Sequence, residues 1–195
     1  MSLIDRAKNI LITPKTEWEV VAAETPDANA ILMSYAMPMI LIGAVAMFVG
    51  RGFIGIAGFS SIKFGIVYAV ISIISGVVGL YISAAIVNAL APTFNSEKDM
   101  GRAMQLVAYS NTAAWVCAVF NVIPFLGLVT WIGALYGIYI MYLGMPHIMK
   151  TPQDKVVAYM VVSWLIGVVI AFAIVAVLTA VAVSVILGTA GIGGL

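Results

Sequence analysis

Side chains able to move a proton or hold a metal are few in this chain, and they do not cluster. The carboxylates are Asp5, Glu17, Glu19, Glu24, Asp27, Glu97, Asp99 and Asp154; His147 is the one histidine and Cys117 the one cysteine. His147 has no partner at metal-ligand spacing, and a lone thiol provides neither an internal disulfide nor a metal site. Cys117 reads as a small apolar filler. No phosphate loop, zinc-protease motif or nucleophile–base set occurs. All eight carboxylates fall outside the long apolar runs. Proton relays and ion pathways place ionisable groups at membrane depth, so an ion-coupled pump is disfavoured. The expectation is no catalytic residue, no cofactor and no metal.

Neutral polar groups are the remaining candidates. Tyr109, Ser110, Asn111 and Thr112 are consecutive, and Asn88 and Asn121 lie in or near other apolar runs. An unpaired amide in lipid is costly. These groups therefore either bond between helices or line a polar pocket, for which Asn88 and Tyr109–Thr112 are the candidates.

Those residues sit in a chain of 195 residues that is 64% hydrophobic and 9% charged, with a mean hydropathy of +1.16. A soluble domain carries about 25% charged residues, so this chain cannot cover itself in water. The apolar runs are continuous rather than alternating, which excludes a transmembrane β-barrel. Several exceed the roughly 18 residues needed to cross a bilayer. The reading is an all-α polytopic membrane protein with five transmembrane helices and a short N-terminal amphipathic helix. Residues 1–29 form a cytoplasmic or interfacial segment, 30–188 the membrane domain and 189–195 a flexible tail. The charged first thirty residues lack the apolar core of a cleavable signal.

In Ser2–Ile12, Leu3, Ile4, Ala7, Ile10 and Leu11 share one helical face, suited to the headgroup layer or to the protein's own end. Pro14 suits the first position of a second short helix capped by Thr13, or Thr16 and Glu19 form a capping box. Trp18 is then expected at the membrane–water boundary. The spans are expected at about 30–50 with a kink at Pro38, 64–91, 101–123, 125–149 and 155–187. A glycine-rich linker, Arg51–Lys63, skims the membrane surface, and Ser96 with Asp99 resembles a cap before the third span. The fifth span, at about 1.5 Å per residue, reaches roughly 50 Å against a hydrocarbon layer of roughly 30 Å. It must tilt, bend at Gly167 or protrude. Small residues form packing stripes: Ser72, Gly76, Gly79 and Ser83 on the second span, and Gly133, Gly137 and Gly144 on the fourth. The fourth-span glycines should meet Ala108, Thr112 or Cys117 across the short Asn121–Gly127 break. Seven basic residues (Arg6, Lys8, Lys15, Lys98, Arg102, Lys150 and Lys155) fall on one side of five spans, and Arg51 and Lys63 on the other. That bias puts the N-terminus in the cytoplasm and the C-terminus outside.

Pro14 and Trp18 ahead of five spans, the entry Arg102-Ala-Met-Gln-Leu-Val-Ala-Tyr109-Ser110, then Ile123-Pro124-Phe-Leu-Gly127 and Tyr136…Tyr142-Leu143-Gly144 form a familiar pattern. It resembles the Yip-one (Ypt/Rab-interacting protein) domain family in its bacterial form, over nearly the whole chain. The resemblance implies a five-helix domain in a bacterial inner membrane with a cytoplasmic N-terminus and no catalytic residue. Eukaryotic members are linked to vesicle trafficking, Rab GTPases and membrane shaping. The Asp-Leu-Tyr-Gly-Pro motif and longer acidic N-terminal domain tied to Rab function do not occur in these residues. The expected role is a non-enzymatic scaffold or membrane-organising protein. The alternatives are a small-molecule or lipid transporter, or an accessory subunit of a larger complex. Its expected partners are the lipid bilayer, contacted by Leu3, Leu11 and Trp18, and other membrane proteins or a second copy, with no nucleic acid.

Overall fold

The computed structural model describes residues 1–55 and 60–192. Two short helices, α1 (Leu3–Ile12) and α2 (Pro14–Ala23), precede five helices long and apolar enough to cross a membrane. These five are α3 (Ala28–Ile54), α4 (Ile62–Phe94), α5 (Met100–Val122), α6 (Pro124–Ile148) and α7 (Val156–Ile192).

Local chemistry explains the boundaries. Ser2 caps α1, its Oγ accepting from the Asp5 N–H at 3.1 Å, which satisfies a donor the helix start leaves free. Pro14 opens α2 as expected, but neither Thr13 nor Thr16 caps it. Their hydroxyls turn back to the Asn9 and Thr13 carbonyls instead. Asp27 caps α3 through the amides of Asn29 and Ala30 at 2.9 and 3.0 Å. Asp99, rather than Ser96, caps α5, accepting from the Arg102 N–H at 3.0 Å. Pro38 gives no sharp break. The turns just before it, Leu32–Ala36, widen to i→i+5 bonding, which accommodates a residue with no N–H of its own.

The expected linker from Arg51 is shorter than its composition suggests. α3 continues to Ile54 and stops at Gly55, whose φ of 73° suits glycine. Residues 56–59 of that linker lie outside the described residues. Gly52 is buried where α3 crosses α4: a Cβ on it would sit 3.6 Å from Gly65 Cα. α7 passes Gly167 without a break and runs beyond Leu187 to Ile192. Residues 193–195 of the expected tail are outside the described residues.

α5 is less regular than a single span. Asn111 Nδ2 donates to the Val107 carbonyl at 2.9 Å and Thr112 Oγ1 to that of Tyr109 at 2.7 Å. Side chains that bond locally compete with the helical ladder, and a turn interrupts the helix at Asn111. Past Cys117 the chain tightens into 3₁₀ turns on both sides of an extended Ile123, the conformation favoured before proline.

Helix lengths place excess protein at one end. The Tyr81 hydroxyl lies 3.4 Å from Asn29 Oδ1, so the start of α3 is level with Tyr81. From there α4 runs on to Phe94, roughly 20 Å further. In that extension Phe94 stacks on Tyr159 of α7, with centroids 4.7 Å apart. The Tyr159 hydroxyl donates to the Val87 carbonyl. The α4–α5 and α6–α7 connections meet here as well, through Ser96 Oγ and Thr151 Oγ1 at 2.9 Å and an exposed Lys150–Glu97 ion pair at 2.7 Å.

The glycines of α6 lie against other chain segments. A Cβ on Gly133 would sit 2.5 Å from the Ala113 carbonyl oxygen and 2.9 Å from Cys117 Sγ. One on Gly137 would sit 2.6 Å from the Ser110 carbonyl oxygen. On α4, Gly76 faces Ile40 side-chain atoms at 3.0–3.2 Å, whereas a Cβ on Gly79 would meet nothing within 4 Å. Gly137→Leu should therefore lower thermal stability in detergent by about 1–3 kcal/mol, the cost of overpacking. Gly79→Leu should leave the melting temperature nearly unchanged, and equal shifts for the two would mean that α5 and α6 do not meet at Gly137.

Candidate functional site

Packing α1 and α2 onto the bundle brings together charges that the sequence separates. Arg6 is 5% exposed although it lies on a ten-residue surface helix. Its Nη1 donates to Glu17 Oε1 at 2.6 Å, and its Nη2 pairs with Glu24. The guanidinium carbon stands 5.3 Å from the centre of the Tyr109 ring, within reach of a cation–π attraction that strengthens away from water. Glu17 is also buried, so each charge is compensated by the other rather than by solvent.

Trp18, next to Glu17, is fully buried, and its indole N–H donates to the Ile140 carbonyl at 2.9 Å. This corrects the expectation of a residue at the membrane–water boundary. The indole finds its acceptor inside the protein, as a buried tryptophan must. Gly144 makes the space, since a Cβ there would sit 2.6 Å from Trp18 Cε2. Gly144 thus faces α2 as well as Leu106 of α5.

Tyr109 meets Tyr35 edge to face, with centroids 4.8 Å apart at 88°. Tyr35 and Thr112 hydroxyl oxygens are 2.6 Å apart. Because Thr112 uses its one proton on the Tyr109 carbonyl, Tyr35 is the donor to Thr112. The Tyr35 and Thr112 hydroxyls thus form a chain ending on the Tyr109 carbonyl, while the Arg6 guanidinium ends on Glu17 and Glu24.

Of the candidates read from sequence, only Tyr109 and Thr112 belong to this layer. Successive helical residues point about 100° apart. Ser110 and Asn111 accordingly line a different place, a cavity of about 270 Å³ shared by α4, α5, α6 and α7. Asn88 is in neither; its Oδ1 has no hydrogen-bond partner among the described residues. The single polar pocket expected from Asn88 and Tyr109–Thr112 is thus two sites and a separate amide. Asn121 bonds locally, to the Ala118 carbonyl at 3.0 Å.

Sequence reading missed Arg6, Glu17, Glu24 and Tyr35. A signal existed. Arg6 precedes the buried Ala7 and sits one turn from Ile10, and Glu17 adjoins Trp18 one turn from Val21. A charge on the apolar side of a helix announces a partner. Leu3 and Leu11, expected at the bilayer, pack half-buried against the core, whereas Ile4 and Ile12 of the same helix are 76% and 67% exposed.

Comparison with known families gives a match over the same elements. The family model described as the Yip1 domain matches residues 8–175. The chain belongs to the Yip1 domain family. No curated protein and no solved structure matches it. The Yip1 match opens at Lys8 and takes in Glu17, Trp18, Tyr35, Tyr109 and Gly144. Arg6, which holds the layer together, lies just ahead of it.

Removing one member of a buried ion pair strands the other and costs about 3–5 kcal/mol, whereas replacing both with apolar residues is often neutral. Arg6→Met should accordingly lower the thermal stability of the Yip1 bundle sharply, and Arg6→Met with Glu17→Leu should recover most of the loss. A double variant as unstable as the single would show that the two charges are not mutually compensated.

Proposed function

We propose that this Yip1-family membrane protein is a non-enzymatic scaffold that organises the bilayer at the end where α1 and α2 dock. The observation that carries this reading is the fixed α1 surface. With Arg6, Ala7 and Ile10 turned into the protein, Ile4 and Ile12 project outward with Lys8 between them on the same face. An exposed apolar pair flanked by lysine suits a headgroup layer, where lysine stems lie along acyl chains and ammonium groups reach phosphate. Tyr136 supports the placement. Its hydroxyl donates to the Leu11 carbonyl at 2.7 Å, and tyrosines concentrate at membrane–water boundaries. Because α1 is held in place, its insertion carries little ordering cost.

Five of the eight acidic residues serve structure. Glu17, Glu24 and Glu97 are in ion pairs, and Asp27 and Asp99 cap helices. This supports a protein without a chemical step. A transport path through Tyr109 and Thr112 has less support, because the Thr112 hydroxyl is already used, donating to the Tyr109 carbonyl and accepting from Tyr35 of α3. The seven-to-two division of basic residues supports a cytoplasmic location for the α1–α2 end and an outer location for the C-terminus. The exposed flank of α7, with Val169 and Phe172 outward, leaves room for other membrane proteins or a second copy.

Reconstitution into anionic liposomes tests the proposal. Wild-type protein should change vesicle size or shape in a dose-dependent way. Ile4→Asp with Ile12→Asp should lose most of that effect at an unaltered melting temperature, since neither side chain is needed for packing. Vesicles left alike by both proteins would remove the bilayer-organising role.

A further inference from the structure

The cavity of about 270 Å³ lies between α4, α5, α6 and α7. Ser110 and Ser163 both line it, both are more than nine-tenths buried, and neither hydroxyl has a hydrogen-bond partner among the described residues. A helical serine ordinarily returns its hydroxyl to the carbonyl four residues earlier. Ser34 and Ser184 do so, onto Ala30 and Ala180. Ser110 and Ser163 do not, and a buried unpaired hydroxyl is costly.

Besides Ser83 and Asn111, the remaining lining is apolar, with small residues at Ala134, Gly137, Gly167 and Ala171, while Trp164 and Ile138 are exposed, which opens the cavity on the bundle's flank. Its depth is marked by aromatic residues. Gly137 lies between Tyr136 and Tyr139, and Trp164 adjoins Ser163, the side chains favoured where acyl chains meet headgroups. The volume is at or below the roughly 300–1,000 Å³ of sites that enclose a whole small ligand, so it suits one chain of a larger amphiphile. At this depth a glycerolipid carries ester carbonyls, which accept hydrogen bonds and cannot donate them.

We propose that this cavity binds a diacyl glycerolipid from the side. Ser110 and Ser163 donate to its ester carbonyls, and one acyl chain lies along Gly137, Gly167 and Ala171. The site does not depend on bilayer organisation by α1, since lipid can be held whether or not α1 acts on the membrane.

The test is a titration of the detergent-solubilised full chain with dioleoylphosphatidylcholine and with its ether-linked analogue, which has the same headgroup and chains but no ester carbonyls. Bound lipid is read by native mass spectrometry. The diester should bind about tenfold more tightly, the effect of one or two hydrogen bonds. Ser110→Ala with Ser163→Ala should abolish that preference without changing the melting temperature. Gly167→Leu should weaken both lipids; a Cβ there meets nothing within 4 Å, so the larger side chain fills the cavity rather than striking the backbone. Equal affinity for the two lipids, or a preference that survives in the double serine variant, would overturn the proposal. So would a dimer that Gly167→Leu dissociates, which would make a second copy the occupant.

Discussion

The buried pairing of Arg6 with Glu17 is the constraint on which the rest of this structure depends. Withdrawing two charges from water is expensive, and the pair is tolerable only if its geometry is good and its remaining donors are used. Here Glu24 takes the second guanidinium nitrogen and the Tyr109 ring faces the cation. Meeting those conditions fixes α1 against α2 and both against α5. Trp18 is then carried into the notch at Gly144, where its N–H reaches Ile140 of α6. Tyr109, held between Arg6 and Tyr35, transmits the arrangement through Thr112 to α3. A polar network in a low-dielectric interior strengthens its members when every one is satisfied.

Helix lengths give the network its place. α4 and α7 have 33 residues and 37 residues, roughly 50 and 55 Å of helix against roughly 30 Å of hydrocarbon. The surplus of α4, beyond the level of Tyr81, collects where α1 and α2 dock. At that end Tyr159, Val87 and Phe94 extend the core, and the two connections are tied by Ser96 and Thr151. The bundle thereby differs in composition along its length. Beyond Asn111 lies an apolar, lipid-facing hairpin, and before it a packed base that carries the charged residues of α1 and α2.

The sequence made much of the fold legible, because a span has only to be apolar and long. Five runs without interior charge can form only helices in lipid, and the basic residues sorted into two groups without further information. Boundaries set by single side chains were less legible. Asp99 and Ser96 are both good caps by composition, and only the tertiary link from Ser96 to Thr151 decides between them. Gly52 looked like linker because glycine is common in loops, yet it serves the close approach of α3 to Gly65. The site was least legible. Arg6 and Glu17 are eleven residues apart on helices whose exposed faces are also charged, so burial of that particular pair follows from packing against Tyr109, about a hundred residues away. Tyr109 and Ser110 are adjacent in sequence but serve separate sites, since one residue of helix turns a side chain to a different face.

α1 and α2 are part of the folded bundle rather than a loose segment resting on the membrane. Amide hydrogen exchange of the protein in lipid nanodiscs measures this directly, because protection reports the free energy of local opening. Amides of residues 7–12 and 18–23 should exchange as slowly as those of residues 104–110 in α5, and Arg6→Met should accelerate the first two groups far more than the third. Exchange of α1 and α2 at the rate of an unstructured chain, beside a protected α5, would contradict it.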